Sequence, residues 1–346
     1  VAFHIGSGFA SGQEVLQFFT VFGAVKSLVG LLLAFFVFTF SSFFIIERFR
    51  KAKNLSGKMK FDVICSPFFS KLIEKITPIL LFSMYTVTLS GTGALLQQLF
   101  DIKAIFGGAL MAILATATTL GGLEKLVDTI GKMGFLVLFC VLILGIVSII
   151  NRPQALFENY DTLFLKCPKA APNGFISSVI YAGFGTFTAV VFLFGLSAKV
   201  QNRKQALFVS FLGNGAYVLG AVILNLGLLA SFEIVYNCQI PALAIANEIL
   251  PKLAMVYALA MFAGAYTTAV PLLWSVCAAL EKDEKNVWYK IFCICASAVA
   301  VVLGGLPFNK LLNICYPVIG VFGVLLIIDM VIKYFKDKNR LSKKKI

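Results

Sequence analysis

Ten apolar segments run through the chain, and most of them are long enough to cross a membrane as a helix. A spanning helix needs about 20 residues, and lipid offers no partner for a free backbone amide or carbonyl. The sequence therefore predicts an all-α polytopic membrane protein with about ten transmembrane helices. The segments cover residues 1–20, 25–46, 75–99, 104–120, 132–150, 174–197, 205–231, 252–280, 287–304 and 309–334.

The composition supports this class and excludes several others. The 346 residues are 60% hydrophobic and 13% charged, which is more apolar than a soluble core requires. The net charge of +14 does not indicate nucleic acid, because the basic residues fall in particular loops. No phosphate-binding loop, paired carboxylates or metal cluster stands out, so we expect neither an enzyme nor a bound cofactor. Since only five residues precede Gly6, we expect the first helix to be incomplete here.

The distribution of Lys and Arg predicts the orientation. Cytoplasmic loops carry an excess of these residues, so we expect both termini on the cytoplasmic side of the cell membrane. The tail 336–346 is expected to be a solvated topology signal, with binding to anionic lipid as the alternative. Asp329 lies one turn before Lys333, and a local ion pair is expected there. The basic set holds 23 of the 30 Lys and Arg residues and comprises 47–75, 121–133, 198–205, 281–290 and the tail from Lys333.

The loops expected on the outer side are more structured. Residues 151–173 contain three prolines. Residues 232–251 form a second loop, in which the stretch 242–248 has the pattern of a short amphipathic helix at the outer mouth. Cys167 and Cys238 lie in these two loops. A disulfide between them is one alternative, and two free thiols are the other.

The first segment contains Gly6-Ser7-Gly8-Phe9-Ala10-Ser11-Gly12-Gln13-Glu14. Glycine weakens a helix, and polar groups are costly at membrane depth, so we expect the helix to open near Gly6 and Gly8. The free amides of an opened helix favour anions, and the free carbonyls favour cations. The alternative is that Gly8 and Gly12 only allow close helix packing.

The sixth segment has a second Gly-x-Gly, in Tyr181-Ala182-Gly183-Phe184-Gly185-Thr186. Taken alone, it supports close packing and a break equally. Its match with the first segment favours a break, because opened helices at corresponding positions of inverted halves indicate a transporter's binding site. We therefore expect a single transmembrane domain with a five-plus-five inverted repeat. The first repeat would span 1–150 and the second 174–335, with helices 1 and 6 broken.

The run at 6–14 resembles the first helix of the YkvI-type bacterial membrane proteins, which are distant members of the amino acid–polyamine–organocation transporter superfamily with the LeuT-type fold. A second motif is Tyr266-Thr267-Thr268-Ala269-Val270. The resemblance implies a secondary active transporter of a small amino-acid-like or amine solute, coupled to Na⁺ or H⁺. Helices 1, 2, 6 and 7 would rock against helices 3, 4, 8 and 9. A sensor on the same fold, such as a spore germinant receptor component, is the alternative.

The resemblance also implies site residues. In sodium-coupled relatives an ion lies between helices 1 and 8, held by main-chain oxygens and paired hydroxyls. The implied ion ligands are the carbonyls of Ala2, Ile5 and Gly264 and the hydroxyls of Thr267 and Thr268. From the residues alone, each hydroxyl could instead bond to its own helix. The implied solute-binding residues are Gly6, Ser7, Gly8 and Phe9 in segment 1, Tyr85 or Ser90 in segment 3, and Gly183, Phe184, Gly185 and Thr186 in segment 6, with Phe184 and Phe187 as aromatic lids.

Three polar residues beside the opening are candidates for gating or proton coupling. Gln13 and Glu14 stand in the region where some sodium-coupled relatives carry a gating Arg. A continuous helix places Glu14 about 12 Å beyond Gly6, toward the outer vestibule, as an outer gate, a proton carrier or a contact for a substrate amine. His4, the single histidine, is either structural or part of a proton-coupled design. Alternative partners of Glu14 are Gln97, Gln98 and Lys310.

Overall fold

The computed structural model describes residues 5–52, 61–121, 127–158, 160–281 and 283–343, and these residues form helices and connecting loops without a strand. Eight helices contain a stretch long and apolar enough to cross a membrane, and the apolar helix α13 (Val287–Leu303) is shorter. The prediction of an all-α polytopic membrane protein is confirmed. The eight are α3 (Ala24–Lys51), α4 (Pro67–Phe100), α5 (Ala104–Gly121), α6 (Val127–Asn151), α8 (Gly174–Ser197), α9 (Arg203–Ala230), α12 (Pro251–Leu280) and α14 (Phe308–Lys343).

The first apolar segment is interrupted, as expected. Gly6 is extended, and helix α1 (Ser7–Ser11) begins after it. A second interruption follows at Gly12, whose φ of 81° lies in the left-handed region, where a residue without a Cβ is favoured. Helix α2 (Gln13–Phe18) then continues toward α3. Ala2 and His4 lie outside the described residues.

The sixth span is continuous, so the prediction of a broken helix at Gly183-Phe184-Gly185 is wrong in this structure. Helix α8 runs without interruption from Gly174 to Ser197. Its glycine serves close packing instead. A Cβ on Gly183 would lie 2.2 Å from the carbonyl oxygen of Gly320, and one on Gly323 would lie 1.9 Å from the carbonyl oxygen of Gly183. The backbones of α8 and α14 therefore touch, which explains the glycines without a break.

Most of the long helices pack in two groups, and α6 contacts both of them, through α9 and α12. Helices α3, α8, α9 and α14 form the first group, in which α8 contacts α3 and α14 and α3 contacts α9. Helices α4, α5, α12 and α13 form the second group around an apolar cluster of their own. The interrupted first segment joins the groups, because α1 contacts α4 and α12 whereas α2 contacts α8, α9 and α14. The turn at Gly12 therefore lies at their junction.

Short helices cover one end of the bundle, which we call the outer end after the predicted orientation. They are α7 (Asp161–Phe164), α10 (Phe232–Val235) and α11 (Pro241–Ile249). The helix expected at 242–248 is thus present as α11. Cys167 and Cys238 are free thiols, not a disulfide. The first donates to the carbonyl of Tyr236 and the second to that of Ile234.

At the opposite end, Asp329 and Lys333 do not form the expected ion pair; among the described residues neither belongs to one. Asp329 accepts from the amide of Ser66 at 2.5 Å and from its hydroxyl at 2.9 Å. Lys333 donates to the carbonyls of Asp62 and Cys65. The segment before α4 supplies partners for both side chains, and they anchor it to α14.

We predict that Gly183→Ala lowers the thermal stability of the purified protein. The added methyl group would meet backbone atoms of α14, and such overpacking costs about 1–3 kcal/mol. Gly195→Ala in the same helix is the control, because nothing lies within 4 Å of its Cβ position. Differential scanning fluorimetry in detergent measures both. An unchanged melting temperature for Gly183→Ala would contradict the packing role.

Candidate functional site

The opening of the first segment leaves backbone amides at the start of α1. The amide of Ala10 donates to the carbonyl of Gly6 at 2.9 Å, and no side chain caps the helix start. The preceding amides of Ser7, Gly8 and Phe9 are those that an α-helix leaves without a partner of its own. Helix α1 therefore begins directly after Gly6, where the sequence predicted an opening.

The carboxylate of Glu14 turns back toward this helix start. One oxygen accepts hydrogen bonds from the hydroxyls of Tyr181 at 2.7 Å and Tyr217 at 3.2 Å. The other lies 2.7 Å from the Cβ position of Gly8. Glu14 is 2% exposed, and among the described residues it forms no ion pair.

This position corrects the expectation that Glu14 lies well beyond Gly6 in the outer vestibule. That distance assumed a continuous helix, whereas the left-handed turn at Gly12 redirects α2. Its hydrogen-bond partners are tyrosines and not the expected Gln97, Gln98 or Lys310. The sequence offered no signal for Tyr217, since a tyrosine on an apolar helix is common.

Aromatic rings enclose the carboxylate. The hydroxyl of Tyr316 lies 2.8 Å from the same Cβ position of Gly8. Its ring stacks on Phe184 with centroids 4.3 Å apart and planes 19° apart. The rings of Phe9 and Tyr217 are 5.1 Å apart. We call Glu14, Tyr181, Tyr217, Tyr316 and Phe184 the carboxylate cluster; it joins α2, α8, α9 and α14.

Helix α4 brings a different residue to the opening from the two expected. Tyr85 bonds through its hydroxyl to Ser297 of α13 at 3.0 Å, and Ser90 donates to the carbonyl of Leu306 at 2.9 Å. Both residues therefore face α13 and the loop after it. Thr88 instead lies at 3.5 Å from the hydroxyl of Ser7, within hydrogen-bond reach. Sequence could not distinguish these positions because the helix register was unknown.

Among the residues expected from the sixth span, Phe184 is the one in the carboxylate cluster. Gly183 faces α14, and Gly185 and Phe187 are buried. Thr186 is 3% exposed, and its hydroxyl has no hydrogen-bond partner among the described residues.

The proposed ion ligands come together only in part. The hydroxyls of Thr267 and Thr268 both donate to the carbonyl of Gly264, at 2.9 and 3.0 Å, which is the bonding to their own helix named as the alternative. The methyl group of Thr268 lies 3.9 Å from the Cβ position of Gly6, so α12 does run beside the helix opening. Ile5 is buried.

Neutral amides tie the first segment to the outer end. Gln13 donates to the carbonyl of Cys238 at 2.8 Å. Gln17 donates to Gln13 at 3.1 Å and to the carbonyl of Asn309 at 2.9 Å, and accepts from Asn313 at 2.9 Å. We call the side chains of Gln13, Gln17 and Asn313 the outer amide cluster. Gln13 is therefore hydrogen-bonded at the outer end, and Gln17 is a neighbour that the sequence did not single out.

Comparison with known proteins finds distant relatives of the chain and a fold that it shares with solved structures. No family model matches it. It is 20% identical over 328 residues to the uncharacterized protein YyaD of Bacillus subtilis (strain 168), covering 95% of this chain and 93% of that protein. It is 24% identical over 332 residues to the uncharacterized membrane protein YkvI of the same organism, covering 91% and 88%. The expected distant relation to YkvI is confirmed.

Solved structures share the fold. The crystal structure of MhsT in complex with L-phenylalanine matches with a TM-score of 0.61 and 17% identity, over 94% of this chain and 86% of that one. A mutant of the Eremococcus coleocola manganese transporter matches with a TM-score of 0.55 and 13% identity, over 94% and 74%. The chain therefore has the LeuT-type fold, as the resemblance implied.

We predict that Gln17→Leu destabilises the protein. Gln17 is fully buried, and its loss leaves buried polar partners unsatisfied, which costs about 1–3 kcal/mol. Gln97→Leu on the exposed side of α4 is the control for the change in polarity. Thermal unfolding of the purified proteins tests this prediction. Equal melting temperatures for the two variants would contradict a stabilising role of the outer amide cluster.

Proposed function

We propose that the protein is a secondary active transporter that moves a small amino-acid-like or amine solute by alternating access, with a proton on Glu14 as the coupling ion. The observation that carries the proposal is the buried carboxylate of Glu14 beside the helix opening at Gly8. It would work in the cell membrane, with both ends of the chain in the cytoplasm.

The surroundings of Glu14 support a role in coupling. A carboxylate buried within a membrane bundle is costly and marks ion pathways and proton relays. Here the groups around it are hydroxyls and aromatic rings, and no described Lys or Arg pairs with it. A proton or a cationic group of the solute would offset that cost. One site could thus exchange a proton for a solute amine.

The packing supports alternating access. The carboxylate cluster lies within the first group of helices, whereas Thr88 and Thr268, on the second group, flank the opening. Relative movement of the groups would therefore change the site itself. The outer amide cluster joins the first segment to Cys238 and Asn309 at the outer end, and in the proposed cycle these hydrogen bonds would break to admit solute from outside.

The comparisons support transport only through the fold. MhsT was solved with L-phenylalanine, and another structure with this fold is a manganese transporter. One fold can carry several functions, so neither ligand transfers to this chain directly. The carboxylate cluster combines a buried acid with aromatic rings. It therefore favours an organic solute with a positively charged amine, because aromatic rings attract cations.

We predict that Glu14→Gln abolishes proton-driven uptake in proteoliposomes. The solute would first be found by a thermal-shift screen of L-amino acids and their decarboxylated amines. With the parent protein, an acidic lumen should accelerate uptake of the radiolabelled hit, because a proton leaving on Glu14 is exchanged for the solute amine. Glu14→Gln should lose that acceleration because an amide does not exchange a proton. Glu233→Gln, an exposed change, is the control. Full pH-dependent uptake by Glu14→Gln would refute the proton role.

The same uptake assay also tests whether Na⁺, rather than a proton, is the coupling ion. Because both threonine hydroxyls bond to Gly264, we expect uptake to stay unchanged when choline replaces external Na⁺, for the parent and for Thr268→Ala. Sodium-dependent uptake that Thr268→Ala removes, and that Thr118→Ala on α5 retains, would assign the ion site to α12 instead. Binding of the screened solute without any uptake would favour the receptor alternative.

A further inference from the structure

A groove of about 870 Å³ lies at the outer end between the starts of α3 and α8. It lies apart from the carboxylate cluster. Its lining includes Val25, Lys26, Val29, Lys169, Phe175 and Ile176. The volume is that of a ligand site and not of a surface dimple. We propose that this outer groove binds an anionic phospholipid, with the phosphate at the two lysines and an acyl chain along the apolar wall.

The apolar wall faces the bilayer. Val25, Val29 and Phe175 are 76%, 63% and 69% exposed, and they belong to spanning helices, so lipid is what surrounds them. The bottom of the groove lies where α3 and α8 approach each other closely. A Cβ on Gly30 would lie 2.3 Å from the hydroxyl oxygen of Ser178. An acyl chain can therefore lie against the protein here.

The charges at the mouth select an anion. Lys26 and Lys169 line the groove, and no Asp or Glu does. Among the described residues, neither lysine forms an ion pair. The ammonium of Lys169 lies 5.8 Å from the ring centroid of Phe22, a cation–π distance that holds it near the groove.

The position of Lys26 strengthens this inference. It lies in the first turn of α3, which contains no acidic residue, and the first turn of α8 likewise contains none. The start of a helix carries partial positive charge, so a lysine there is unfavourable. A phosphate between these helix starts would offset the repulsion. A zwitterionic lipid would bring its own cation to the same place and gain less.

Native mass spectrometry of the full chain, released from nanodiscs of mixed phosphatidylglycerol and phosphatidylcholine, tests the proposal. We expect the parent protein to retain phosphatidylglycerol preferentially. Lys26→Gln with Lys169→Gln should reduce that preference about tenfold, since each lysine near a membrane surface contributes measurably to anionic lipid binding. The charge-matched control is Lys103→Gln with Lys252→Gln, two exposed lysines expected on the same side.

A second variant tests the acyl wall without changing charge. Val29→Trp should fill the groove and lower lipid retention, whereas Val299→Trp, at another exposed position on α13, should not. No preference for phosphatidylglycerol in the parent would overturn the proposal. So would equal losses in the lysine control, or the same thermal stabilisation by soluble glycerophosphate, which would indicate a simple anion site.

Discussion

The carboxylate of Glu14 imposes the strongest demand on this structure, because a buried acid in a membrane bundle needs donors around it. Tyr181 and Tyr217 supply them from two different helices. The turn at Gly12 makes the arrangement reachable, since it lets α2 leave the line of α1 and direct Glu14 back toward Gly8. The left-handed backbone conformation of Gly12 thus sets both the path of the first segment and the position of the Glu14 carboxylate.

The same turn links the site to the architecture. On one side of Gly12 the chain packs on α4 and α12, and on the other it packs on α8, α9 and α14. The carboxylate cluster includes side chains of α8, α9 and α14, while α1 contacts α4 and α12. A solute that contacts both would contact both groups of helices. In the proposed transport cycle, this division of the first segment at Gly12 would link solute binding to relative movement of the two groups.

Sequence predicted the spanning segments well, because hydropathy over about 20 residues reflects a requirement of the bilayer itself. It predicted the first helix break because several unfavourable residues coincide there. The prediction of a helix break at Gly183 was wrong, because this glycine allows close contact with α14. A Gly-x-Gly sequence looks the same whether it opens a helix or lets two helices touch. Sequence suggested Tyr85 and Ser90 and did not identify Thr88, because the register of α4 depends on neighbours that a single sequence does not specify. Tyr217 and Tyr316 became visible only through tertiary packing.

The outer amide cluster has an electrical consequence. Its side chains carry no net charge, and their partners are backbone carbonyls or other amides. A transmembrane voltage does work only on charge that moves through the field. Opening these contacts displaces no net charge of their own, so the voltage does almost no work on this closure. In the proposed transport cycle, any dependence on membrane potential would then arise at Glu14 and the solute, and not at the outer amide cluster.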